Sequence, residues 1–248
     1  MSTPLDTYQD RLAGARQGLK NRQELRILMA AEVSPALLHA FLIQWAALTM
    51  QLQEPAERFL VEASRRCAEV GEHKLSLSLL QIAGEAIERY RMVADDTRRL
   101  AQLWNARRLP HINLTDLLTQ SATTSMRRFH ESQQLQVDGP RPWTQLAAVY
   151  EADATLGSLA GRVTAQAECL LGADVRSCLR SLDALANFEE RGSLSRTMVE
   201  FLDANPERVD RMAEAGERTL DLYMDFLREC CIAAANLSLH HDRHQAVG

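Results

Sequence analysis

The chain has 248 residues, 46% of them hydrophobic but only 5% aromatic, with 25% charged residues and a net charge of −5. That length suits one large domain or two small ones and can bury a core without staples. The acidic balance leaves no basic surplus, so nucleic acid is not an expected partner. Five cysteines, an odd count with no CxxC or Cys/His spacing, fit buried thiols in a reducing compartment. The start, "MSTPLDTYQDRLAG", lacks the basic-then-apolar pattern of a signal peptide. The most apolar run, "PALLHAFLIQWAALTM", is shorter than the roughly 20 residues that span a bilayer. A cytoplasmic protein with no membrane partner is expected.

Prolines punctuate the chain, and the stretches between them read as helices. The first runs from about Asp6 to Ala31. Ser34-Pro35 opens a second, with Pro at the first helical position. Glu54-Pro55 opens a third, in which Phe59, Ala63 and Cys67 repeat at helical spacing until Gly71. A fourth follows from His73, with Leu75, Leu79, Ile82, Ala86, Tyr90 and Val93 marking its buried stripe. Leu109 to Arg141 is the least regular part, with a capping signal at Asn113 or Thr115 and a turn at "VDGPRP". Helical spacing resumes from Trp143 to Leu171 and from Ala173 to about Leu202, interrupted near Gly192. Asn205-Pro206 opens the last helix, to about Leu237, and the polar tail "SLHHDRHQAVG" is expected to fray. The expectation is an all-α bundle: one helical domain over 1–237 with its core within 37–232, and a tail over 238–248. Its core helices lie near 56–70, 73–106, 143–171, 174–202 and 206–237.

Catalytic signatures such as GxSxG, a Walker loop, GxGxxG or HExxH are missing. His240, His241 and His244 could chelate a metal but fall in the tail. His39, on a strongly apolar helix, reads as a hydrogen-bonded core imidazole. His130, in "RRFHESQQ", sits in the irregular region and could contact a substrate. Carboxylates are more informative. Glu85 and Glu88 share a helix face, Asp95-Asp96 follow two turns later, and Glu151 and Asp153 lie in the small and apolar run "AAVYEADATLG". Carboxylates projected from several helices are how bundles hold a pair of irons. Taken singly, Glu85, Glu88 and Asp153 also fit solvated or ion-paired positions.

The stretch "RFLVEASRRCAEVGEHKLSLSLLQIAGEAIERYRMVADDTRRLAQLWNARRLP" resembles the first core region of the heme-oxygenase-like diiron oxidases. "RFHESQQLQVDGPRPWTQLAAVYEADATLG" resembles the second, and "LRSLDALANFEERGSLSRTMVEFLDANPERVDRMAEAGERTLDLYMDFLREC" the third with the closing helix. The resemblance implies an all-α bundle and, in members with iron, dioxygen chemistry that tailors amino acids or fatty acids in small-molecule biosynthesis. Those members carry Glu and His close together on the first core helix, Glu on the second and H-x3-D-x2-H on the third. Here the first-helix positions hold Ala86, beside Glu85, and Arg89. The second holds Glu151, and the third holds Asn187, Arg191 and Leu194.

An alkyl group and a permanent cation cannot ligate iron, so the expectation is no cofactor. Heme oxygenases hold heme through a His near the N-terminus, and none precedes His39. Three readings follow. The first is a metal-depleted relative whose pocket, near Glu85, Glu88, Arg89, Tyr90, His130, Glu151, Asn187, Arg191 and Leu194, binds a small molecule or a partner protein, with a homodimer as a further possibility. The second, the alternative, is an oxidase with non-heme iron on a rearranged set such as Glu85, Glu88, Glu151 and His130. The third is a metal-free enzyme using Tyr90, Glu151 or His130 as acid or base. A buried Glu151 without iron needs a counter-charge. An ion pair from Arg191 or Arg89 to Glu151, or to Glu85, is the expected replacement for the metal.

Overall fold

Capping residues set the helix starts. Thr3 Oγ1 accepts the backbone N–H of Asp6, the Asp6 carboxylate accepts that of Thr3, and Pro4 fills the first helical position, so α1 (Pro4–Lys20) opens on a closed capping box. Ser34 Oγ accepts the Leu37 N–H at 3.1 Å ahead of Pro35, which starts α3 (Pro35–Gln53). The computed structural model describes residues 3–186 and 192–247, and among them it is all-α, with 11 α-helices. The others are α2 (Gln23–Leu28), α4 (Ala56–Glu69), α5 (His73–Asn105), α6 (Leu114–Leu118), α7 (Thr124–Asp138), α8 (Gln145–Leu171), α9 (Arg180–Leu185), α10 (Ser193–Ala204) and α11 (Val209–Val247). Gly71 and Gly172, at φ +87° and +90°, take the left-handed conformation beyond the ends of α4 and α8.

Four stretches differ from the sequence reading. The first helix, expected from about Asp6 to Ala31, is interrupted at Asn21 and Arg22 and splits into α1 and α2. The helix expected over 174–202 is broken: a 3₁₀ segment, Ala173–Cys178, leads into α9, and α10 begins only at Ser193. Buried Asp96 accepts the N–H groups of Arg180 (3.2 Å) and Ser181 (2.8 Å) and thereby starts α9. The stretch around His130 is helical, because Thr123 caps α7 through the N–H of Met126. The last helix does not end near Leu237 but continues to Val247. His241 is buried there, its Nδ1 donating to the Leu109 carbonyl at 2.6 Å and its ring edge-on to Trp104.

The interior has two apolar clusters. One gathers α3, the second half of α5, most of α8, α9 and the second half of α11. The other gathers α1, α4, the first half of α5, the start of α8, α10 and the first half of α11. Helix α3 belongs to the interior on nearly every side. The stretch Pro35–Glu69 contains the one helical window among the described residues apolar enough to cross a membrane by length and composition, with mean hydropathy 1.2, and 72% of that window is buried inside the protein.

His39 ties α3 to the end of α5. Its Nε2 lies 3.0 Å from the Leu100 carbonyl and must donate, so its Nδ1 accepts from the Arg108 guanidinium at 2.9 Å. Burial, reinforced by the Arg108 charge, pushes the imidazole down from 6.5 to about 4. The unfolded chain therefore takes up this proton first. The neutral ring's contribution is intact above pH 6.5 and is lost as pH falls toward about 4. That window corresponds to roughly 3 kcal/mol at 1.36 kcal/mol per pKa unit. In urea melts, the stability gap between the wild type and His39→Gln should narrow by about that amount between about pH 7 and pH 4. A gap independent of pH would show that the ring does not titrate with folding.

Candidate functional site

The two apolar clusters do not close completely where they meet. Leu52, Phe129 and Leu156 of one, and Phe59, Leu60 and Ile82 of the other, wall a cavity of about 80 Å³. Half-buried Ala86, Arg89, Val149 and Ala152 also line it. Its polar lining comes from five helices: Thr49 and Gln53 of α3, Arg89 of α5, Gln133 of α7, Gln145 and Asp153 of α8, and Tyr223 of α11. Arg89 pairs with Asp153 through a guanidinium-to-carboxylate hydrogen bond, and Gln145 donates to the Gln133 carbonyl oxygen. The Arg–Asp pair makes the cavity electrically neutral as a whole. Burial raises the Asp153 pKa, opposed by the Arg89 charge and hydrogen bond and aided by nearby Glu85.

Four polar atoms on this lining have no hydrogen-bond partner among the described residues: Thr49 Oγ1, Gln53 Oε1, Gln145 Oε1 and the Tyr223 hydroxyl. The Trp45 indole lies near that hydroxyl and works against the rise in its pKa. Burial raises the Tyr223 pKa, so the phenol is neutral and can donate. Such groups are rare in protein interiors, because each forfeits about 1–3 kcal/mol of solvation.

Glu151 lies on α8 beside the cavity but does not line it. Its carboxylate has no exposed surface and is held by α1. Arg16 binds both oxygens, Nε to Oε2 at 3.0 Å and Nη2 to Oε1 at 2.6 Å, and the Tyr8 hydroxyl donates to Oε1 at 2.9 Å. Burial works to lower the Arg16 pKa, but the bond and charge of Glu151 leave it raised. Desolvation, then the neighbouring carboxylate, raises Tyr8 well above its ordinary value. Gly216 of α11 makes room, since a β-carbon there would meet the Tyr8 hydroxyl at 2.6 Å and Glu151 Cγ at 3.0 Å.

No family model matches the sequence, and no curated protein matches it. Solved structures match in shape. One is a domain of unknown function with a heme oxygenase-like fold from Shewanella denitrificans OS217, at TM-score 0.68 and 13% identity over 90% of this chain and 89% of that one. Another is a TenA homolog from Pseudomonas syringae pv. tomato DC3000, at TM-score 0.65 and 12% identity over 90% of each chain. The chain has a heme oxygenase-like fold. Identities this low carry the fold alone, and the narrower diiron-oxidase family is not assigned by them.

Within the heme oxygenase-like fold, the positions singled out in the sequence separate. Arg89 lines the cavity; Glu85, Glu88, Tyr90, His130, Glu151 and Leu194 are not among its lining residues. Glu85 accepts hydrogen bonds from Ser193 Oγ (2.6 Å) and Gln81 (3.3 Å), and exposed Glu88 pairs with Arg91. His130 donates Nε2–H to the Leu52 carbonyl at 3.0 Å, Tyr90 is half-buried, and Leu194 packs in the second apolar cluster. Asn187 and Arg191 lie outside the described residues.

The expected pairing of Glu151 or Glu85 with Arg89 is corrected: Arg89 goes to Asp153, and Glu151 takes its cation from Arg16 on a helix to which no role had been given. Tyr8, Leu12 and Leu19 set a buried stripe on α1, and Arg16, four residues past Leu12, was the available signal. The rearranged iron set does not fit. Glu85, Glu88, Glu151 and His130 are each engaged separately, and among the described residues no three His, Cys, Asp or Glu come together. Nor does His39 fit a heme iron, since both its ring nitrogens are bonded.

Truncating Arg16 should strand the Glu151 carboxylate. Its guanidinium is partly solvated, with 28% of the side chain exposed, so water softens the loss. Arg16→Met is expected to cost roughly 2–3 kcal/mol in chemical denaturation, below the upper range for a buried pair. Replacing Glu151 by Leu in the same background should recover much of it. A cost for Arg16→Met under about 1 kcal/mol would mean that Glu151 finds another partner.

Proposed function

We propose that this protein is a small-molecule-handling member of the heme oxygenase-like fold that works without iron, placed in a small-molecule biosynthetic pathway. The observation that carries the reading is the set of unpartnered polar atoms on the lining of the cavity between the two apolar clusters. A fold gains nothing from leaving Thr49, Gln145 and Tyr223 unsatisfied at almost complete burial, whereas a ligand supplying the missing partners does. The lack of a fitting iron donor set among the described residues favours the metal-free form of the reading over a rearranged oxidase. A catalytic version rests on Asp153: it lines the cavity, its acidity is weakened by burial, and it can exchange a proton with a bound molecule.

Two measurements test this together. Tyr223→Phe and Thr49→Val remove hydroxyls that the protein itself does not satisfy, so each should leave stability unchanged or raise it by up to about 1 kcal/mol. Fragments detected by ligand-observed NMR on the wild type should lose their signal when Ala152→Leu fills part of the cavity. Destabilisation by more than about 1 kcal/mol in both hydroxyl variants, or fragment binding indifferent to Ala152→Leu, would remove the basis of the reading.

A further inference from the structure

A second cavity, about 30 Å³ and walled by apolar side chains, lies beyond the first. Among the described residues, Leu156 alone lines both. Three helices pass from one cavity to the other on successive turns. On α3, Phe41 and Trp45 face the apolar cavity and Thr49 and Gln53 the polar one. On α8, Ala152 and Asp153 line the polar cavity, Leu156 both, and Leu159 and Val163 the apolar one. On α11, Tyr223 is followed one turn later by Leu227. Cavities shared in this way by three helices are stacked end to end along the bundle. Leu156 stands between them, with Tyr223 on the polar side and Trp45 on the apolar side.

We infer that the two cavities are the ends of one elongated slot, gated by Leu156, for a molecule with an uncharged amide-type head and an unbranched apolar tail. The proposal rests on the reading of the polar cavity given above and adds the chemistry of the ligand. The head is uncharged because Arg89 and Asp153 already neutralise each other: a carboxylate would meet Asp153, an ammonium Arg89. It carries N–H donors for the Gln53 and Gln145 oxygens, and a carbonyl for the Tyr223 or Thr49 hydroxyl. A primary amide has both, in one plane. The tail is apolar because past Leu156 the lining offers Leu, Met, Val and aromatic side chains, with the Trp45 indole as the single N–H group. Entry needs only a rotamer change of Leu156, which is the residue that sets how long a tail is accepted.

The test is calorimetric titration of the unmodified full chain with primary amides from propanamide to nonanamide, alongside carboxylates and amines of matching length. Affinity for the amides should rise about three- to fourfold per methylene, and the charged series should bind at least about tenfold more weakly. Leu156→Ala should increase the nonanamide-to-propanamide affinity ratio, and Val163→Phe, which obstructs the far end, should lower it about tenfold. The Val163→Phe variant keeps the test decisive should Leu156→Ala fail to fold. Amide affinity independent of chain length, or a ratio unchanged in Val163→Phe, would overturn the slot while leaving the polar cavity's role intact. Tighter binding of carboxylates or amines than of amides would overturn the head assignment. No amide binding, with cavity-dependent fragment binding still present, would sink this inference alone; loss of both would sink the proposed function as well.

Discussion

A carboxylate with no exposed surface, Glu151 at the end of the second turn of α8, organises one end of this bundle. Left alone it would cost several kcal/mol, so the fold must deliver a cation and a donor to it. Both come from α1: Arg16 as a two-toothed clamp and Tyr8 as a phenol. Helix α11 must approach closely enough that only a glycine fits at 216. The three helices are thus held together by electrostatic satisfaction as well as by burial of Leu12, Leu146, Met212 and their neighbours. Asp153, two residues further along α8, belongs to a separate pair with Arg89 and faces the cavity.

The two Arg–carboxylate pairs divide the labour. The first buries its carboxylate beside a tyrosine, reaches partly to solvent through Arg16, and carries architecture. The second stands on the wall of a cavity whose other polar groups lack partners. Here arginine side chains supply the positive charge to Glu151 and Asp153, from inside the polypeptide.

Much of the architecture was legible in the sequence because it is encoded locally. Thr3-Pro4 and Ser34-Pro35 announce helix starts by capping chemistry, and the stripes of α4 and α5 follow from helical spacing. What failed was encoded at a distance. The break before α9 depends on Asp96, far away in sequence, and the continuation of α11 past Leu237 depends on Trp104 and the Leu109 carbonyl. The candidate site was less visible still. Gln53, Gln133 and Gln145 resemble surface residues until α3, α7 and α8 converge, and Tyr223 reads as core. Arg16 lies outside the stretch 37–232 that carries the resemblance, and its partner is 135 positions away.

That separation also constrains how the chain folds. Helix α1 has its salt-bridge partner on α8, 135 residues later, and the glycine that admits Tyr8 on α11, later still. Closing a loop of this length is slow relative to forming a helical hairpin such as α4–α5, whose members are joined by a short turn. Helix α1 cannot complete its packing until α8 and α11 exist, so the contacts that fasten the start of the chain are among those that span the most sequence.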